Sequence, residues 1–335
     1  MAYIKLFLAA LFITFFSFQV YAFEYDIPAD IKLDKGAKVM GATVPTTFML
    51  YSFDEDIIAG WNTPLYEHEK KYIPEKYPKL DVLGAWYGNG NYPHKEVLLS
   101  KKIDAAFVIT SDSYKVKKEI GKMKNYMASI NIPFISIQGT TIDDDIKIYN
   151  MLGKIFNNEK RSEEINNYII KSINNTKNIT DKVKNKKKVY LALGENGLKT
   201  RCVDSILSAG AEYVHKCKML DETISFEQLM IYNPDVIIIG KKAAYKSIIN
   251  DKKWANLKAV KNNNILFVPE EPFSWVEKKT VMEYFVIQFL ASKLYPEYSN
   301  IDLHKELIEH IKIFFHYDLT YELADKLINY EKYYK

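Results

Sequence analysis

Two rhythms of apolar residues alternate along this chain. Short, nearly unbroken apolar runs recur at 37–42, 57–61, 103–110, 133–137, 188–194, 235–240 and 265–269. Such runs suit strands covered on both faces, because neither side of the pleat is left to water. Between them lie stretches whose apolar residues return every three or four positions, the period of a helix with one buried face. They predict a helix beginning at 46–51, helices over 96–100, 115–130, 200–208, 225–229, 280–294 and 303–329, and a short helical turn at 254–260. The longest is opened by Asp143, Asp144 and Asp145. Carboxylates there suit the free N–H groups and the positive dipole end of a helix N-terminus. Ile146, Tyr149, Leu152, Ile155 and Phe156 carry its apolar face, which resumes at Ile165, Tyr168, Ile169 and Ile173. The polar stretch 157–161 between the two halves predicts a bend or a break.

Strands alternating with helices predict an α/β fold with mainly parallel sheets. The long helix divides the pattern in two. The expected architecture is two Rossmann-like lobes, over 23–142 and 187–335, joined by one long α-helix within 143–186, with a ligand cleft between the lobes. Residues 1–22 stand apart. Lys5 is followed by an almost continuous apolar run from Leu6 to Val20, then by the small–x–small sequence Val20-Tyr21-Ala22. This is the order of a secretory signal peptide, and the run is short for a membrane span of about 20 residues. Cleavage after Ala22 and work in the periplasm are the expectation.

Composition narrows the function classes. Hydrophobic residues make up 48% and charged residues 26% of the 335 residues, enough apolar material for sizeable cores. With 46 basic and 42 acidic residues the net charge is +4, too balanced to point to nucleic acid. Cys202 and Cys217 form an even pair, and in an oxidising compartment a disulfide is the simplest reading. Two separate buried thiols, or thiolate ligands to a metal, are the alternatives. The sequence contains no HExxH, no GxSxG and no P-loop, and the glycines of 84–90 suit turns better than phosphate binding. Of the six histidines, His94 and His215 lie nearest predicted loops and are weak candidates for an open position on a bound metal.

Several segments, in order, resemble the periplasmic substrate-binding proteins of ABC importers for iron–siderophore complexes, haem and vitamin B12. Leu83-Gly84 through Ile103-Asp104, with Glu96 inside it, is similar to one signature of that family. Ile132-Pro133-Phe134, Leu152 to Phe156, and Ser225-Phe226-Glu227-Gln228-Leu229 through Asn233-Pro234-Asp235 match others. Trp254 to Asn262 with Val268-Pro269 completes the set. Two departures stand out: Lys102-Ile103-Asp104 lacks the family's proline, and Arg201-Cys202-Val203 replaces a glycine- and serine-rich turn. The resemblance implies a rigid helix between the lobes and no catalysis. It also implies no intrinsic cofactor, a metal chelate as cargo, and delivery to an inner-membrane permease dimer with its ATPase. In the resembling proteins one glutamate on each lobe meets the permease, and the matching positions here are Glu96 and Glu227. The protein is expected to act as a monomer. Haem, cobalamin or a nickel or cobalt complex are alternative cargoes. A secreted α/β enzyme or a metal chaperone using the same cleft is the alternative of another class.

In open α/β sheets ligands sit beyond the carboxyl ends of the strands. The residues that follow the predicted strands are therefore the candidates for cargo contact: Tyr51, Trp61, Trp86, Tyr87 and Tyr92 in the first lobe, and Arg201, Lys241 and Trp275 in the second. Aromatic rings offer stacking area to a large chelate, and cations attract an anionic one.

Overall fold

A computed structural model describes residues 23–29, 31–86, 92–110, 114–139, 141–201, 203–216, 221–276 and 280–334. The first lobe contains β1 (Glu24–Asp26), β2 (Val39–Gly41), α1 (Val44–Phe53), α2 (Glu67–Lys70), α3 (Lys95–Ser100), β3 (Ala105–Thr110), α4 (Tyr114–Ala128) and β4 (Phe134–Gln138). Its sheet runs β1-β4-β3-β2, parallel except for β1 at the edge. Two helices follow, α5 (Ile142–Ile155) and α6 (Glu159–Thr180). The second lobe begins with β5 (Lys188–Ala192), β6 (Lys199–Arg201), α7 (Asp204–Ser208), β7 (Glu212–Tyr213), β8 (Asp221–Thr223), α8 (Phe226–Tyr232) and β9 (Val236–Ile239). It continues through α9 (Lys242–Asn250), α10 (Lys258–Lys261), β10 (Ile265–Phe267), α11 (Glu283–Leu294), α12 (Leu303–Phe315), α13 (Tyr321–Ile328) and α14 (Tyr330–Tyr334). Its main sheet, β10-β9-β5-β7, is parallel throughout, and β6 and β8 form a separate antiparallel ribbon.

The buried strands are those with unbroken apolar runs. Ala105 to Ile109 of β3 and all of β9 are buried. Each Ile or Val so enclosed contributes about 1.5–3 kcal/mol relative to exposure. The linking segment breaks where the polar stretch predicts. Asn157 takes a left-handed φ of 51°, and Asn158 caps α6 by accepting from the Arg161 N–H. Gly153 lets the two helices cross closely, since a Cβ there would meet the Ser162 hydroxyl at 2.0 Å.

A repeated unit runs through both lobes. In the first, the Lys38 N–H donates to Asp104 Oδ2 at 2.7 Å and the Asp104 N–H returns to the Lys38 carbonyl at 2.8 Å. In the second, Lys188 and Asp235 make the same exchange, at 2.8 Å in both directions. The aspartate before the second strand thus satisfies the N-terminal N–H of the first. This gives a physical reason for an aspartate at Asp104 and Asp235, with or without proline before it.

Four sequence expectations change. The run 57–61 makes single bridges, Ile58 to Val39 and Trp61 to Val82, instead of a continuous strand. Gly60 sits against the Asp81 carbonyl where no Cβ fits. The helix expected over 200–208 starts only at Asp204, because Lys199 to Arg201 pair with β8 and the Thr200 hydroxyl donates to the Leu191 carbonyl at 2.7 Å. The pattern over 303–329 is cut at His316, whose φ of 56° ends α12. β1 adds an antiparallel edge that the polar sequence Glu24-Tyr25-Asp26 does not announce.

Candidate functional site

The carboxyl ends of β2, β3 and β4 and the start of α5 converge on one side of the first sheet. Thr43, just past β2, caps α1: its hydroxyl accepts from the Thr46 N–H and lies 2.8 Å from the Thr46 hydroxyl. Thr46 in turn donates to the Ile109 carbonyl at 3.1 Å and accepts from the Ile109 N–H at 3.0 Å, which fastens α1 to β3. Across from them lies the segment that opens α11. Between the two is a cavity of about 180 Å³, lined by Thr43, Thr110, Gly139 and Asp145 on one side and Val281 and Tyr284 on the other. It therefore lies between first-lobe strand ends and second-lobe residues, where an α/β ligand site is expected.

Asp145 is 4% exposed, and one of its oxygens accepts from the Tyr284 hydroxyl at 3.1 Å. Burial and the nearby Asp145 charge raise the Tyr284 phenol well above its ordinary pKa, so it stays a donor. Asp144, beside it, closes the capping box with Thr141 and pairs with Lys147 at 2.8 Å. A neighbouring groove of about 280 Å³ is lined by Asp143, Lys177, Asp204 and Glu283, among others. The starts of α5, α7 and α11 thus bring carboxylates to one region. Wider grooves of about 380 and 460 Å³ lie under α14 and between α12 and α13, with no lining residue from the first lobe.

The aromatics expected to face the cleft are deployed differently. Tyr51 is fully buried on α1, its hydroxyl donating to the Phe315 carbonyl at 3.0 Å. Trp61 packs against it, ring centroids 5.4 Å apart, and donates from Nε1 to the Tyr77 carbonyl at 2.8 Å. Trp86 is buried with its ring edge-on to Tyr126 and Tyr92. Trp275 is buried against Phe285 and Phe289 and donates to the Glu271 carbonyl. With almost no exposed area, these four brace the walls of the lobes in this conformation and do not form one stacking surface. Tyr92 is exposed.

The cations are paired. Arg201 Nε donates to Asp221 at 2.6 Å across the β6–β8 ribbon, and Lys241 lies 3.9 Å from Glu270. His215 is buried, with Nδ1 at 3.0 Å from the Tyr232 hydroxyl and Nε2 at 3.3 Å from Glu222. His94 is exposed at the N-cap position of α3. Glu96 and Glu227 are exposed in the first turns of α3 and α8, and the residue's own N–H, with the Ser225 hydroxyl second, holds the Glu227 carboxyl below its usual range. Tyr87, Cys202 and Cys217 lie outside the described residues. Among the described residues no group of three or more His, Cys, Asp or Glu is arranged to hold a metal ion. No helix among them is long and apolar enough to cross a membrane.

Thr43, Thr110, Asp145 and Tyr284 were not singled out by sequence as cargo contacts. Asp145 carries no sequence signal of its own, because three acids at a helix start are already accounted for by the helix dipole.

Comparison with known proteins agrees with this architecture. The family model described as periplasmic binding protein matches residues 131–272. A solved ABC transporter solute binding protein from Sulfurospirillum deleyianum superposes with a TM-score of 0.76 at 28% identity, over 88% of this chain and 94% of that one. Among curated relatives, the high-affinity heme uptake system protein IsdE of Staphylococcus aureus is 26% identical over 70% of this chain and 80% of its own length. The molybdate-binding protein MolA of Haemophilus influenzae is 23% identical, over 77% of this chain and 79% of its own length.

Proposed function

We propose that this chain, which is similar to periplasmic binding proteins over residues 131–272 and to a solved ABC transporter solute binding protein over 88% of its length, captures a metal chelate outside the cytoplasm and delivers it to an inner-membrane ABC permease. An iron–siderophore complex is the foremost cargo. The observation that carries this reading is the cavity between the strand ends of the first lobe and the start of α11, with Asp145 in its wall. Haem, cobalamin and nickel or cobalt complexes are the alternatives; haem, the cargo in the name of one relative, and cobalamin are both larger than the cavity of about 180 Å³ and would extend beyond it. Molybdate, the cargo named for another, fits less well. A bare oxyanion beside buried Asp145 meets a charge of its own sign, and no cation lines that cavity among the described residues. A chelate spreads its charge over a large apolar frame and can present hydroxyl or amide groups to Asp145.

Tyr92, Arg201 and Lys241 are assigned to the outer contacts with cargo, and Trp86, beneath Tyr92, to the wall. Glu96 and Glu227 are assigned to docking on the permease. Exposed charges there would add specificity and association rate more than raw affinity. The test is a titration of the purified protein, by intrinsic fluorescence and calorimetry, with a ferric siderophore, haemin, cobalamin and molybdate. Saturable binding of a chelate that is weakened at least tenfold by Asp145→Leu is expected. Tight molybdate binding with no response to any chelate would overturn the reading.

A further inference from the structure

The repeated unit of the two lobes extends beyond the strand-capping aspartates. Glu96 stands eight residues before Asp104, and Glu227 eight before Asp235. Between them the positions match one by one. Leu98 and Leu229 are both fully buried under their helices. Lys102 and Asn233 both take left-handed φ, at 51° and 39°, to turn from helix to strand. His94 and Ser225 both occupy N-caps. One further pair is exposed: Leu99 at 49% and Met230 at 37% occupy the same position, three residues after each glutamate.

A single exposed leucine calls for no explanation. Two exposed apolar side chains at the same place in a duplicated unit are different, because the residue next to Leu98 and Leu229 on the other side is Val97 in one lobe and Gln228 in the other. Helical spacing of three puts each apolar side chain on the face that carries the glutamate. In the second lobe Ile231, 76% exposed, widens the patch.

We propose that the docking surface for the permease is a two-part epitope repeated in each lobe: the carboxylates Glu96 and Glu227, each with an apolar contact one turn further along, Leu99 and Met230. The inference rests on the docking reading of the two glutamates given above. The partner it fits is a membrane protein of two like subunits, each offering a basic side chain beside an apolar recess. The carboxylate recognises and steers. The apolar side chain, desolvated on contact, lengthens the life of the complex.

The test uses the full-length processed protein and its transporter in lipid nanodiscs, measuring affinity and stimulation of ATP hydrolysis at low and high salt. Leu99→Ser with Met230→Ser is expected to weaken docking at least tenfold at both salt concentrations, with cargo affinity unchanged. Glu96→Lys with Glu227→Lys is expected to weaken docking most at low salt. Ile170→Ser, an exposed aliphatic on α6 outside both units, is the control and is expected to dock normally. Normal docking by the serine pair while the lysine pair fails would overturn the apolar contacts and leave the glutamate reading standing. Normal docking by the lysine pair would remove the glutamate reading itself. An Ile170→Ser loss equal to that of the serine pair would also overturn the proposal.

Discussion

His310 shows how far the interior of this molecule departs from ordinary solvation. It is fully buried on α12 among Tyr168, Phe285, Phe314 and Phe315, and neither ring nitrogen has a hydrogen-bond partner among the described residues. The two acids that precede it on the same helix, Glu306 and Glu309, are both held by Lys171, at 2.7 and 2.8 Å. Burial pushes the imidazole down to about 3 from 6.5. The folded state therefore stays unprotonated at a pH where the unfolded chain takes up a proton. Stability from this residue is complete above about 6.5 and declines as the pH falls toward about 3, by roughly 1.4 kcal/mol per unit. Denaturant titrations at pH 7.5 and pH 5 should show a loss of about 2 kcal/mol that His310→Phe removes. An identical pH dependence in the variant would show that His310 finds a partner for its proton.

At the scale of elements, left-handed turns distinguish residues that look alike in sequence. Lys102 and Asn233 end equivalent helices with positive φ, but Asn tolerates that conformation and its Oδ1 also accepts from the Lys258 N–H at 3.0 Å. Lys102→Gly should stabilise the protein by about 0.5–1 kcal/mol, while Asn233→Gly should be neutral or destabilising. Thermal unfolding of the two variants side by side checks this, and equal shifts would count against it. The same elements show what was legible in the sequence. β3, β4, β5 and β9 were readable because a strand buried on both faces must be apolar throughout. The ribbon of Lys199-Thr200-Arg201 with Asp221-Glu222-Thr223 was not, because it is held by cross-strand hydrogen bonds and by Arg201–Asp221 pairing with no apolar signature of its own. The site was less legible than the fold. Its lining comes from chain segments far apart, and Trp61, Trp86 and Trp275, which follow predicted strands, are buried against neighbouring rings.

At the scale of the whole molecule, the lobes are tied by more than the linking helix. Phe48 of the first lobe meets Phe273 of the second at 4.5 Å between ring centroids, and Phe273 stacks on Phe315 at 4.8 Å. The Tyr72 hydroxyl donates to Glu271 at 2.9 Å. His316 donates from Nε2 to the Tyr51 carbonyl at 2.9 Å, and its other nitrogen, 3.0 Å from Glu55, helps hold that carboxyl below its usual range. Arg161 on α6 reaches the carbonyls of Ser52 and Phe53 at the end of α1 and of Ile313 near the end of α12, joining two negative helix ends with one cation. A wide opening of the lobes would expose these rings, at roughly 25 cal/mol per Å² over the 150–250 Å² that each aromatic side chain buries. Cargo binding is therefore expected to move the lobes little, with a change in radius of gyration of about 1 Å or less by small-angle scattering. Phe273→Ala combined with Phe315→Ala should cost several kcal/mol of stability, on the order of 3–5 per ring, and should widen the distribution of lobe separations in the cargo-free protein. A wild-type protein that contracts by several ångströms on saturation would show that the aromatic bridge opens in solution and does not limit the hinge.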